Sequence, residues 1–467
     1  MPPPERAPLD ADTLNVFYAE RLIGRLRFDA KEQLYSFEYD EAWRNDVAAF
    51  DLAPLLPKKE HTHAGTAVRF FFSNLLPEGE MLEIVSRTYG VSQYDPFGLL
   101  RKIGAECAGA LKILESETAA PDGKTYRAIS AQALSDSARV DAANFLANVS
   151  GKLRMSLAGV QDKLPALLAA NGDVFIPEVG SASTHILKPN NRHWQTFPHT
   201  AANEQFCMEL ARRMGLSVPR STLIAVPERI YVVERFDRVF NSPLVLDPQG
   251  DVAELQGEPV HRLHQIDVCQ LLGLPPTQKY EEPEFQTAPG PNIGTIANAL
   301  TEATGEAIWV RRWIVEWVIF NYLIGNSDSH AKNISLMWKD GRWQLAPVYD
   351  LVSVAVYSDD PETLHDFAFN IGGETRYGWI MRTHWHDFAR DIGVNHRYVY
   401  AALRRMAVRV STHADEILEE MAPRLDPNES VLLGRIIALI RTHASYASEA
   451  AGTIGTAARA ARGTRKR

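Results

Sequence analysis

Strand patterns and helix patterns are segregated along this chain, and no other feature limits its possible folds as much. Leu14-Asn15-Val16-Phe17-Tyr18 and Tyr35-Ser36-Phe37-Glu38-Tyr39 are β-rich and flank a charged turn region. Lys163–Leu168 and Val174–Ile176 are strand-like and joined through Asn171-Gly172-Asp173, a hairpin signal. His185–Lys188 is a further strand, stopped by Pro189, and Ile230–Val233 is another. Phe70–Ile84 looks helical, with an interruption at Pro77. Asn203–Met214 places Phe206, Leu210 and Met214 on one helical face, with Gly215 just past its end. From about Val260 onward helical patterns dominate. Strands first and helices later predict an α+β chain with two lobes. The expected parts are an N-terminal subdomain (1–115), a mixed αβ lobe (116–236), a helical lobe (237–452) and a basic flexible tail (453–467). Residues 116–124 read as a turn-rich linker.

Composition narrows the functional classes. At 45% hydrophobic and 23% charged, the chain can build a large core and is not generally disordered. A net charge of −9 excludes a surface that binds polyanions throughout, so any nucleic-acid role needs a local basic patch or a partner. Thr453–Arg467 holds four arginines, one lysine and no acid; it is either a solvated tail or a contact to DNA phosphates. Three cysteines without a CxxC exclude a disulfide framework and a cysteine zinc site, and fit a reducing cytoplasm. Met1–Asp10 lacks the apolar run of a secretory signal. Ala307–Ile324 is the most apolar stretch, but Arg311, Arg312, Glu316 and Asn321 make it a buried helix, not a membrane span.

The chemistry concentrates in Ile324-Gly325-Asn326-Ser327-Asp328-Ser329-His330-Ala331-Lys332-Asn333, between that helix and a strand-like Ile334–Trp338. Asp328 and Asn333 are five residues apart, the spacing of a protein-kinase catalytic loop. There a carboxylate accepts the proton of the acceptor hydroxyl, and an amide oxygen faces a metal ion from the same loop. Turn hydrogen bonding explains these two residues equally well when they are taken alone. Asp350 follows in Pro347-Val348-Tyr349-Asp350, where a kinase places a metal-holding carboxylate, although the usual Phe-Gly after it is missing. Met155–Lys163 offers small residues, Gly159 and a following strand, a turn whose amides can cradle phosphate; a bland surface turn fits it too. Lys188 at a strand end suits a phosphate contact, or a solvated lysine. Val232–Arg238 stands where a hinge would meet adenine, or is a charged linker. Thr383-His384-Trp385-His386-Asp387 has no further ligands at metal spacing, and Arg376 and Arg382 read as surface pairs. The Val431–Ile440 stretch has one apolar face and reads as core.

The order of these segments is loop, strand lysine, helix, hinge, Asp-x-x-x-x-Asn, Asp. In it the chain resembles the HipA-type serine/threonine kinases, the toxins of bacterial HipBA toxin–antitoxin modules. Phe71–Gly79, Ile103–Leu111, Ser156–Lys163, His185–Pro189, Glu234–Arg238, Gly325–Asn333 and Pro347–Asp350 carry the resemblance, which covers most of the chain. The resemblance implies a protein-kinase-like, HipA-like fold that uses ATP and Mg²⁺. It implies Asp328 as catalytic base, Asn333 and Asp350 as Mg²⁺ ligands, and Lys188 on the ATP phosphates. Ser156, Ala158, Gly159 and Lys163 would form the phosphate loop, with Ser156 also an autophosphorylation site. Glu234 and Phe236 would meet adenine and Asp237 the ribose, with His330 and Lys332 also on the nucleotide side. The implied partners are a HipB-like helix-turn-helix antitoxin, operator DNA held mainly through it, and a protein substrate such as an aminoacyl-tRNA synthetase. No membrane association is expected. A catalytically silent corepressor module and a small-molecule kinase are the alternatives.

Overall fold

The computed structural model describes residues 12–119, 122–139, 163–178, 180–190, 197–225, 229–249, 252–281, 288–358 and 366–452. The chain forms two compact units, each assembled from separated stretches of sequence. The first comprises Met1–Leu187, Arg235–Pro276 and Met337–Gln344; the second comprises Lys188–Glu234, Thr277–Leu336 and Leu345–Arg467. The divisions fall after Leu187, Glu234, Pro276, Leu336 and Gln344.

The first unit opens with an antiparallel sheet in the order Thr62–Ala64, Leu34–Tyr39, Arg21–Asp29, Thr13–Tyr18, Leu111–Leu114. Arg21–Asp29 corrects the reading of a charged turn region. In this nine-residue strand Ile23, Gly24 and Leu26 are buried while Arg21, Arg27 and Asp29 face water. Charges on the wet face hid the apolar positions. The helices Thr66–Ser73 and Gly79–Tyr89 break around Pro77 as expected. A second set of strands in this unit runs in the order His185–Pro189, Leu164–Leu168, Val174–Pro177, Thr125–Ile129, Val252–Leu255, Leu246–Gln249. Leu167 pairs with Phe175 across the turn at Asn171-Gly172-Asp173, so the hairpin signal is realised. Tyr126, Leu167, Phe175, Ala182, Ala253, Leu255 and Val260 close the core of this part. The chain leaves the first unit after Leu187, inside the His185–Pro189 strand, so Lys188 belongs to the second.

In the second unit Ser221–Ala225 pairs antiparallel with Arg229–Glu234, and helices supply most of the remainder. Two short strands in the helical half of the chain, Ser335–Lys339 and Arg342–Leu345, lie mostly in the first unit, in one sheet with Gln265–Asp267. Ala307–Ile324 is the central helix. Every residue from Trp317 to Ile324 is buried, as an element apolar on all sides must be. No helix among the described residues is long and apolar enough to cross a membrane. The long helices His396–Met421 and Pro427–Ala450 pack against each other, and Leu432, Leu433, Ile436, Ile437 and Ile440 are buried, as the sequence pattern requires.

Candidate active site

The central helix stops at Gly325, whose φ of 68° is left-handed backbone that glycine adopts without a Cβ penalty. The Gly325 carbonyl then accepts from the backbone N–H groups of Val354 and Ala355 at 3.0 and 2.9 Å, tying the loop's start to the chain just after Asp350. Asn326, fully buried, organises the first turn of the loop. Its Nδ2 donates to Asn321 Oδ1 at 2.8 Å, and its Oδ1 accepts from the Asp328 N–H at 3.2 Å. The same Nδ2 approaches the Asp350 carbonyl oxygen at 3.5 Å. Asn333 closes the loop by donating from Nδ2 to the Asp328 carbonyl at 3.0 Å, which orients its amide. The side chain of Asp328 is 58% exposed, open to an incoming group, and the Tyr280 hydroxyl donates to its Oδ1. Tyr280 is held there. Its ring stands edge-on to His330, and the Ala331 N–H donates to the neighbouring Lys279 carbonyl at 3.0 Å.

Lys188 and Asp350 meet directly. Lys188 Nζ lies 2.5 Å from Asp350 Oδ1 and 2.6 Å from Glu204 Oε1, and its side chain is 3% exposed. Burial by itself pushes the ammonium pKa down. The carboxylates of Asp350 and Glu204 outweigh it and hold lysine above its ordinary value, so it stays charged. Asp350 has a φ of 55°, a left-handed conformation that aspartate tolerates better than most residues. Glu204 comes from the Thr200–Met214 helix. One residue earlier, buried Asn203 exchanges two hydrogen bonds with the backbone of Ser353, at 2.9 and 3.0 Å. The helix carrying Glu204 is thereby latched to the segment that follows Asp350. A buried lysine between two acids, a carboxylate and an amide on one loop, and oxygen donors suited to a hard cation are the groups that phosphoryl transfer uses.

A family model described as the HipA-like C-terminal domain matches residues 155–418, and one described as the HipA N-terminal domain matches residues 14–114. The chain belongs to the HipA family. Y4mE of Sinorhizobium fredii is 31% identical over 87% of this chain and 92% of its own length. The serine/threonine-protein kinase toxin HipA of Shewanella oneidensis is 29% identical over 90% of this chain and 92% of its own length. The solved structure of the Shewanella oneidensis HipA, HipB and operator DNA complex superposes with a TM-score of 0.78 at 26% identity. It covers 95% of this chain and 100% of that one. The fold is therefore the α+β, kinase-like fold of HipA.

The remaining positions singled out in the HipA motifs fall in different settings. Ser156, Ala158 and Gly159 lie outside the described residues; Lys163 is half-buried in the first unit. His330 and Lys332 are buried within the Asp328–Asn333 loop, and the Lys332 carbonyl accepts from the Tyr349 hydroxyl at 2.7 Å. Glu234 is half-buried at the end of its strand, and burial raises its carboxyl pKa against the pull of Arg220. Phe236 is half-buried in the first unit.

Asp237, the position implied for the ribose, lies among buried charges. It is 3% exposed, and Arg235 holds it through two hydrogen bonds of 2.9 and 2.7 Å. The Gly109 N–H adds a third at 2.7 Å, and Arg238 stands 3.0 Å away. Burial would raise its pKa, but the arginines outweigh that and keep the carboxylate ionised. Its oxygens are held in an internal network of hydrogen bonds and ion pairs.

His384 is a helix cap, its Nδ1 accepting from the Met381 N–H at 3.0 Å, and no metal set forms there among the described residues. Among those residues, His199, Asp426 and Glu429 are grouped closely enough to hold an ion. However, Asp426 and Glu429 are the capping box of the Pro427–Ala450 helix, and Arg229 reaches Glu429. Glu204, Asn203, Asn326 and Tyr280 were missed from the sequence. Glu204 carried the one usable signal: an acid on the helix after a strand lysine, as kinases pair them.

Proposed function

We propose that this chain is an ATP- and Mg²⁺-dependent serine/threonine protein kinase, the toxin of a toxin–antitoxin module. The observation that carries the reading is the buried Lys188 held between Glu204 and Asp350, in the same unit as the Asp328–Asn333 loop. Asp328 accepts the proton of a serine or threonine hydroxyl as that oxygen bonds to the γ-phosphorus. The bond to the β–γ bridging oxygen breaks and ADP leaves. Lys188 steadies the nucleotide's phosphates, and Asn333 and Asp350 offer the oxygens that would hold Mg²⁺. When bound, the ion neutralises phosphate charge. Glu234 and Phe236 stand for the adenine side, with Ser156, Ala158, Gly159 and Lys163 for the phosphate loop, and His330 and Lys332 flank the transfer site.

The likeness to a HipA–HipB–operator complex supports a HipB-like antitoxin as partner, with DNA held mainly by that partner, since this chain carries −9. An aminoacyl-tRNA synthetase is the substrate we infer from the family. Ser156 is the inferred autophosphorylation site. A phosphate there adds about −1.5 to −2 charges where those of ATP belong and silences the enzyme.

The test uses labelled ATP with the wild type and Asp328→Ala. Transfer to protein should fall by about 10²-fold or more in the variant, with an unchanged melting temperature. Mixed with active enzyme, Asp328→Ala should acquire label at Ser156, read by peptide mapping. Full transfer by Asp328→Ala would refute the kinase reading. Label elsewhere would remove only the autoregulation.

A further inference from the structure

We propose that a polar cavity beside the catalytic loop docks the phosphoacceptor segment of a protein substrate. We propose further that it selects a lysine or arginine within about four residues of the acceptor serine or threonine. This rests on the kinase reading above and names the substrate class of the same site.

The cavity, of about 630 Å³, lies wholly within the second unit, and its wall includes Glu281, Asn292, Thr295, Asn298, Asn370 and Asp391. Its place follows from chain connectivity. Tyr280 donates to the Asp328 carboxylate, and Glu281 is the next residue, its Cα about 3.8 Å from that of Tyr280. The Gly290 N–H donates to the Tyr280 carbonyl at 2.9 Å and brings the start of the Ile293–Thr304 helix alongside. The cavity therefore begins one residue from the side chain on the base. An extended peptide covers about 3.3–3.6 Å per residue, so about four residues reach from an acceptor at Asp328 into it.

The chemistry of the wall selects the ligand. Glu281 and Asp391 bring two carboxylates, and among the described residues no lysine or arginine lines the cavity. The Glu281 carboxylate is fixed by the Asn370 N–H at 2.9 Å. Asp391 is brought in by close packing. A Cβ on Gly294 would lie 2.9 Å from the Asp391 carbonyl oxygen, so glycine lets the two helix ends approach. Arg390 reaches Asp391 at 3.3 Å, and its side chain is 67% exposed. An anion is disfavoured even at this helix start, because the carboxylates oppose it and Asn292 Oδ1 already caps the Thr295 N–H at 2.8 Å. A nucleobase is disfavoured because no aromatic side chain among the described residues lines the wall. Asn298 brings an amide that both donates and accepts, and Asn292, whose Oδ1 caps Thr295, brings the two donors of its Nδ2, groups that pair with an extended backbone. A basic side chain between the carboxylates, with peptide backbone on the amides, complements the charge and polarity of this wall.

The test uses the full chain and fluorescent serine peptides with arginine, alanine or glutamate two to four residues from the serine. Binding is read by anisotropy and transfer by labelled ATP. The arginine peptide should bind about tenfold more tightly than the alanine peptide, and the glutamate peptide more weakly than either. Glu281→Gln and, separately, Asp391→Asn should remove this preference while ATP affinity and melting temperature stay at wild-type values. Equal binding of all three peptides to the wild type overturns the proposal. So does a preference that survives both substitutions. Arginine-selective binding without transfer would uphold the docking site and count against the kinase reading.

Discussion

At the scale of single residues, the open question is what the Tyr280 hydroxyl does on Asp328. The phenol donates to the carboxylate oxygen that, on the proposed reading, an acceptor hydroxyl would reach. A hydrogen bond to a charged group contributes on the order of 1.5–3 kcal/mol, less where the carboxylate is as exposed as this one. Tyr280→Phe removes a competitor. Peptide turnover should rise roughly threefold without a change in ATP affinity. Steady-state kinetics check this, and a fall in turnover would make Tyr280 a positioning residue for the base. Lys188 shows the opposite economy. It is buried and charged, and survives only because Glu204 and Asp350 both reach it. Glu204→Gln should destabilise the fold by about 3 kcal/mol and lower ATP affinity at matched Mg²⁺, measured by urea unfolding and calorimetry.

Elements contribute by carrying buried groups into place. The Thr200–Met214 helix supplies Glu204 and, through Asn203, its own latch to Ser353. The Pro427–Ala450 helix supplies His443, stacked on Tyr377 at 4.5 Å and bonded through Nδ1 to the Tyr322 carbonyl at 2.9 Å. Burial pushes its pKa down to about 4, against the opposing effect of that hydrogen bond. In the first unit His264 is likewise held at about 4 by burial. The unfolded chain takes up these protons below about pH 6.5, and the folded chain only near pH 4. Stability present above about pH 6.5 is therefore lost as pH falls toward 4, by about 2 kcal/mol per ring at about pH 5. Urea unfolding at about pH 7 and about pH 5 checks the slope. His443→Gln should flatten it.

At the scale of the whole molecule, buried charge joins segments that are far apart in sequence. Glu106 meets Arg262 at 2.7 Å and Arg238 at 3.2 Å, while the nearby Gly109 N–H donates to Asp237. Burial would raise the Glu106 pKa, but Arg262, Arg238 and Arg235 outweigh it and hold it down to about 2. Glu106→Gln leaves these arginines short of a partner. It should cost about 3–5 kcal/mol, seen as a lower unfolding midpoint, with Cys107, buried beside it, becoming reactive to thiol reagents earlier.

This network joins Glu106 and Gly109 of Ile103–Leu111 to Arg235, Asp237 and Arg238 of Glu234–Arg238, and it also marks the boundary of what sequence can show. Periodicity and turn chemistry are local. They made legible the hairpin at Asn171-Gly172-Asp173, the helix ending at Gly215, the buried Ala307–Ile324 helix and the Asp328–Asn333 loop. Arg21–Asp29 escaped because its outward charges mask a half-buried strand. The partners of Lys188, the Tyr280 hydroxyl on Asp328 and the commitment of Asp237 to arginines escaped for another reason. Lys188 and Asp350 stand 162 positions apart and Tyr280 and Asp328 stand 48 apart; Arg235 is only two residues from Asp237, but burial, which no local pattern shows, turns those neighbours into its partners. Chain order determined the list of groups that the proposed phosphoryl transfer draws on. Only tertiary packing decided which carboxylate stays open to a substrate and which is consumed in holding the molecule together.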